Sequence, residues 1–121
     1  MANTIRVTGC DNQLILIAYQ WGASYEVGTI QSGDKAVDVT INISNNPYQG
    51  QIKLNGLWTP LSGSYEVGLP AGQYHLAIIG LDWGGPQHFN VEVNGTRLAY
   101  PYRNAGEGTV WTPAPILLTV Q

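Results

Sequence analysis

Between Val37 and Ile43 the chain alternates strictly: Val37, Val39, Ile41 and Ile43 are apolar, and Asp38, Thr40 and Asn42 between them are polar. A period of two sends these sets to opposite faces of an extended strand, the pattern of an antiparallel strand with one face in the core and one in water. Two other runs behave differently. "LILIAY" (14–19) and the strand within "GQYHLAIIGLD" (72–82) are apolar at both parities, which predicts strands covered on both faces. No stretch carries apolar residues at helical spacing, so the pattern predicts an all-β chain.

The pentapeptide "SYEVG" occurs at 24–28 and again at 64–68. Extending the copies outward, with a one-residue gap before Ser32, sets Gly33 against Gly72, Pro47 against Pro86 and Asn55-Gly56 against Asn94-Gly95. The apolar pairs Val37/Leu76, Val39/Ile78, Ile52/Val91 and Leu54/Val93 then fall in step. This reads as an internal repeat with units 24–56 and 64–95, each a strand around "YEV", a turn, a longer strand, a loop, and a short strand closing on the dipeptide of tight hairpins. "IRVTG" (5–9) and "PILLTV" (115–120) resemble strands of the units, and the two chain ends are expected to meet. The architecture expected for residues 1–121 is one antiparallel β-sandwich domain of jelly-roll type, with a three-fold β-trefoil or β-prism as the alternative. Where unit one has outward Asp38, Thr40 and Asn42, unit two has Ala77, Ile79 and Leu81, a face that predicts either cover by residues 100–121 or a homo-oligomer.

Composition narrows the chemistry. Five basic residues (Arg6, Lys35, Lys53, Arg97, Arg103) are scattered through a chain of net charge −3, which leaves no basic footprint for nucleic acid. Cys10 is the single cysteine, so neither an intrachain disulfide nor a cysteine metal cage is available. The opening "MANTIRVTGC" has no charged-then-apolar leader, and no run approaches ~18 apolar residues; cytoplasmic synthesis without a signal peptide is expected, with later release to the outside left open. Sequence signatures of hydrolases, zinc proteases and phosphate-binding loops are absent, and Glu26 and Glu66 hold equivalent repeat positions, which suggests structure rather than catalysis. A noncatalytic protein is expected.

Binding chemistry concentrates in the two loops that the repeat makes equivalent, "NNPYQG" (45–50) and "DWGGPQH" (82–88). The second places a carboxylate, an indole, an amide and an imidazole within seven residues around two glycines. Sugar recognition uses that mixture: an aromatic face for the C–H side of a pyranose, and polar groups for its hydroxyls. The candidate ligand-binding residues are therefore Asp82, Trp83, Gln87 and His88, with Asn45, Asn46 and Tyr48 from the first loop. Trp21 and Trp58 read as core or interface, Trp111 as either core or surface, and Tyr100, Tyr102 and Arg103 as a second candidate surface.

"LILIAYQWGASY" and "GQYHLAIIGLDWGGPQHFNVEVNG" resemble segments of the small bacterial calcium-dependent galactose lectins, β-sandwiches in which a calcium ion coordinates sugar hydroxyls. The hairpin "LPAGQYHLAIIG" is also similar to noncatalytic sandwich modules of the galactose-binding type. The resemblance implies calcium contacts at Tyr25 and Asp82. Read by itself, the loop offers one carboxylate, two glycines and a proline toward the ~6–8 oxygens calcium takes, so calcium is an open cofactor that the residues do not favour. The functional expectation is a lectin-like carbohydrate-binding module made multivalent by oligomerisation. The alternative is a structural or assembly subunit, such as a phage or filament component, whose apolar strand faces are subunit contacts.

Overall fold

The structure, a computed structural model, describes residues 3–100 and 107–121; Tyr102 and Arg103 lie outside the described residues. The described chain is all β, without helix. Its ten strands are β1 (Asn3–Gln20), β2 (Ala23–Ser32), β3 (Val37–Asn45), β4 (Ile52–Asn55), β5 (Leu61–Leu69), β6 (Gly72–Asp82), β7 (His88–Val93), β8 (Thr96–Arg97), β9 (Gly108–Trp111) and β10 (Ile116–Val120). Hydrogen bonds join them into one sheet that curls until it nearly closes as a barrel.

The 18-residue β1 organises the whole. Its first half pairs with β3 and β7, and β5 and β8 extend that wall outward. Its second half pairs with β2 and β6, and β4, β9 and β10 extend the other wall. The polar break "CDN" at residues 10–12 is where β1 passes from one wall to the other. Inward residues follow the period of two: Ile5 and Val7, Leu14 and Leu16, and Val39, Ile41 and Ile43 are buried. Phe89 and Trp111 stack at 5.5 Å between centroids inside this core, which makes Trp111 a core residue.

Pairing departs from the expected antiparallel pattern at two places, because β2–β4 and β3–β5 are parallel. The reason is topological: β2, β3, β4 and β5 alternate between walls, so each strand returns to its own wall running the same way. The repeat is local. Val27 and Val67 are buried and Glu26 and Glu66 exposed in both copies of "SYEVG". The strands themselves have different neighbours, however, since β2 sits between β1 and β4 while β5 pairs with β3 in the opposite wall. Asn94-Gly95 forms the expected tight hairpin between β7 and β8, with positive φ at both residues (50° and 83°). Asn55-Gly56 does not. There the Gly56 N–H donates to the Gln31 carbonyl, and the chain crosses to the other wall as β5.

The chain ends meet through a side chain, Asn3 Nδ2 donating to the Thr119 carbonyl at 2.8 Å, while β10 pairs with β6. Trp21, at the tip of the β1–β2 hairpin, is 101 % exposed and Trp58, beyond β4, 83 % exposed, so neither is core. Ile15, Ile17, Ala77, Ile79 and Leu81 form a half-buried apolar stripe on the outer face of β1 and β6. No helix among the described residues is long and apolar enough to cross a membrane.

Candidate functional site

The site begins with the phase of β6. Tyr74, Leu76, Ile78 and Gly80 point into the core, and the same phase carries Asp82 inward at the strand's last position. Asp82 is therefore a strand residue, not a loop residue as its sequence setting suggested. It is 1 % exposed, and neither carboxylate oxygen has a hydrogen-bond partner. Buried polar groups in folded proteins nearly always have a partner, so this group stands out.

Immediately beyond it the chain turns outward. Trp83 is 45 % exposed, and its backbone N–H donates to Asn12 Oδ1 at 2.9 Å. Asn12 also reaches the Ser32 carbonyl through Nδ2, at 3.4 Å, so this one side chain connects β1 with the ends of β2 and β6. Gly84 and Gly85 then take φ of 118° and 83°, values that L side chains rarely adopt, and the Glu107 carboxylate lies beside Gly84. His88 opens β7 opposite Asp11, with its imidazole so close over Gly9 that a Cβ there would fall 2.6 Å from Cδ2. Gln87 is 7 % exposed and accepts a long hydrogen bond from the Tyr100 hydroxyl, 3.4 Å, so it faces inward as support for the loop.

Charge at this end is predominantly negative. The Asp11 carboxyl is raised above its ordinary range, first by burial and then by the neighbouring charges of Asp82 and Asp34, with His88 acting in the opposite direction. Cys10, next to it, is buried, donates to the Ile30 carbonyl, and has its thiol pushed up to about 12, mainly by burial; it stays a thiol and is no nucleophile. No three His, Cys, Asp or Glu side chains converge as metal ligands among the described residues.

The second loop is elsewhere. Asn45 pairs with Leu69 close to the Asn3 end of β1, whereas Asp82 follows Leu81, which pairs with Gln13. About nine residues of strand, roughly 30 Å of chain, separate these positions along β1. Asn46 Nδ2 bonds Ser44 Oγ at 2.8 Å, and the Tyr48 hydroxyl donates to the Glu26 carbonyl at 2.7 Å. Asn46 lines a separate cleft of about 240 Å³ with Ser44, Glu66 and Gly68. Tyr25 packs edge-on against Tyr48 and Tyr74 and pairs with Ala18, so Tyr25 and Asp82, joined by the lectin resemblance, lie at opposite ends of the β1–β2–β6 wall.

Of the residues singled out in the sequence, the structure brings together Asp82, Trp83, Gln87 and His88 and adds Asp11, Asn12 and Glu107 to them. The only local sign of Asp11 and Asn12 was the polar break between two apolar runs; nothing near Glu107 in sequence marks it. No protein-family description, curated protein or solved structure matches this chain.

Proposed function

We propose that this protein is a noncatalytic carbohydrate-binding module whose site is the Asp82–His88 end of the fold. One observation carries the reading: next to the half-exposed Trp83, whose backbone N–H is held by Asn12, the inward-facing Asp82 carboxyl is buried with both oxygens unpartnered. A folded protein keeps such a costly group where function uses it more readily than where packing alone is at stake. Trp83 supplies the flat apolar face for a pyranose, and Asp11, His88 and Glu107 supply acceptors and a donor for hydroxyls around it. Asn45, Asn46 and Tyr48 form no part of this site. Binding is proposed to be metal-independent, with nucleic acid excluded as a partner by the sparse and scattered cations.

The finer architecture we place on the curled sheet is a lectin-like sandwich, and the similarity of "GQYHLAIIGLDWGGPQHFNVEVNG" to the galactose lectins supports it. Multivalency would come from a homo-oligomer packed through the Ile15–Ile17–Ala77–Ile79–Leu81 stripe, turning modest single-site affinity into avidity. That same stripe favours the second reading, an assembly subunit in which strand faces are the working surface.

A glycan array probed with the purified protein tests the proposal. Binding to a sugar class, loss of that binding in Trp83→Ala with an unchanged circular dichroism spectrum, and persistence in EDTA are the expected results. No binding to any glycan would leave the assembly reading.

A further inference from the structure

We infer that the ligand is a linear oligosaccharide rather than a single sugar, and that it continues from Trp83 across the end of the wall to a second subsite beside Trp58. The inference rests on the carbohydrate reading above and specifies the shape of its ligand. Strand order in this wall is β6–β1–β2–β4. The register sets Leu81, Gln13, Gln31 and Asn55 side by side across these strands, and β6 and β4 both leave the wall at this end. Trp83 follows Leu81 by two residues, and Trp58 follows Asn55 by three. Three inter-strand spacings of ~4.8 Å put about 14 Å between the strands from which the two indoles come. That is longer than one pyranose and within reach of a short chain of them. Trp21, also exposed, lies beyond the far end of the same strands, at the β1–β2 turn.

The second subsite has a lining of its own. Ile30 is buried in the core, so the period of two turns Thr29 and Gln31 to the outer face of β2, and their register partners Lys53 and Asn55 join them on β4. With Leu54 these residues line a cavity of about 390 Å³. Two amides, a hydroxyl and an ammonium offer both donors and acceptors to sugar hydroxyls. The loop that carries Trp58 away from this cavity is pinned. Gly56 N–H donates to the Gln31 carbonyl at 2.7 Å, Leu57 N–H to Asn55 Oδ1 at 3.0 Å, and Leu61 N–H to the Ala36 carbonyl at 3.0 Å. A Cβ on Gly56 would fall 2.7 Å from Leu61 Cγ, so the base of the loop is closely packed as well. Its indole nevertheless stands in water, 83 % exposed. A fixed loop that holds a broad apolar surface in solvent suits a ligand with a flat apolar face, because little ordering remains to be done on binding. A β-1,4-linked chain of equatorial pyranoses presents C–H faces of that kind along its length. Between the two indoles lie Asn12 and Gln13 on β1 and Gln31 on β2, polar at each step, which fits hydroxyl-bearing rings better than an apolar protein segment.

Calorimetric titration with cellobiose and cellotetraose, repeated with the β-1,4-linked dimer and tetramer of N-acetylglucosamine, decides the matter. In a series that binds, the tetramer is expected to bind about tenfold more tightly than the dimer, the effect of one further stacked indole. Trp58→Ala is expected to bring the tetramer down to the affinity of the dimer without weakening the dimer. Trp83→Ala is expected to weaken both, and Trp21→Ala, a change at a fully exposed position beyond the far end of the wall, to alter neither. Equal affinity of dimer and tetramer, or a tetramer advantage that survives Trp58→Ala, overturns the second subsite and leaves the carbohydrate reading standing. A loss in Trp21→Ala equal to that in Trp58→Ala overturns its location. Failure of both series to bind, when the array has found another glycan, overturns the extended-chain inference alone; failure with an array blank throughout removes both.

Discussion

Replacing Asp82 with Asn is expected to make the protein more stable, an unusual outcome for a change at a fully buried position. The carboxylate is 1 % exposed and both its oxygens are unpartnered. At pH 7 a carboxyl buried without a partner costs several kcal/mol, whether it carries its charge out of water or takes up a proton to avoid doing so, whereas a neutral amide left unsatisfied in the same space costs ~1–3 kcal/mol. The difference favours Asn by ~2 kcal/mol. For 121 residues, an unfolding entropy of ~2.1 cal/mol/K per residue gives ~0.25 kcal/mol/K, so Tm should rise by ~8 °C. Differential scanning calorimetry at pH 7 on wild type and variant measures this directly, and urea midpoints with unchanged m-values check that the two folds are the same. A Tm lowered by several degrees would show that the carboxyl group has a stabilising partner in solution, and the argument from an unpartnered buried carboxyl would collapse. If the variant is both more stable and weaker in binding, the cost of Asp82 is explained by its use.

Three further outcomes follow from the packing. Burial pushes the Cys10 thiol up to about 12 in the folded chain against 9.0 ordinarily, so the unfolded chain loses that proton first; stability is full below about pH 9 and falls by on the order of 4 kcal/mol as pH rises to 12. Cys10→Ala should flatten that alkaline slope, and a slope unchanged by the substitution would contradict it. Gly80→Ala would put a Cβ 2.9 Å from Phe89 Cζ and 3.1 Å from Trp111 Cβ, and overpacking of this kind costs ~1–3 kcal/mol, read as a Tm lower by ~4–12 °C; an unaltered Tm would mean that the Phe89–Trp111 stack shifts freely. Ile79→Glu, on the outer apolar stripe, should convert an oligomer to monomer in light scattering at tens of micromolar without lowering Tm, and a monomeric wild type would remove the oligomer proposal.

The alternation of Val37 to Ile43 made β3 legible, because burial on one face writes its period straight into the sequence. The two-faced apolar runs correctly marked strands of the wall that β1 and β6 share. The comparison of the two units also set the phase of β6, with Ala77, Ile79 and Leu81 outward, but grouping Asp82 with the loop that follows concealed that it continues the inward set of Tyr74, Leu76, Ile78 and Gly80. Strand pairing was the least legible level. Each strand's own pattern is silent about its neighbour, and alternation between walls made β2–β4 and β3–β5 parallel. The repeat misled for the same cause. Equivalent sequences took non-equivalent neighbours, so the loops at 45–50 and 82–88 ended about 30 Å of strand apart instead of side by side. Asn12 and Glu107 reach the site through contacts distant in sequence, which no local motif reports.

The central claim, that a sugar binds at the Asp82–His88 end, is tested most directly by a ¹⁵N–¹H NMR titration of the protein with its best-binding glycan. The account predicts saturable shifts at Asn12, Trp83 including its indole N–H, His88 and Glu107, with residues 44–50 and the outer stripe of β1 and β6 unmoved. Shifts confined to residues 44–50 and 66–68, or to Ile15, Ile17 and Ile79, would contradict it.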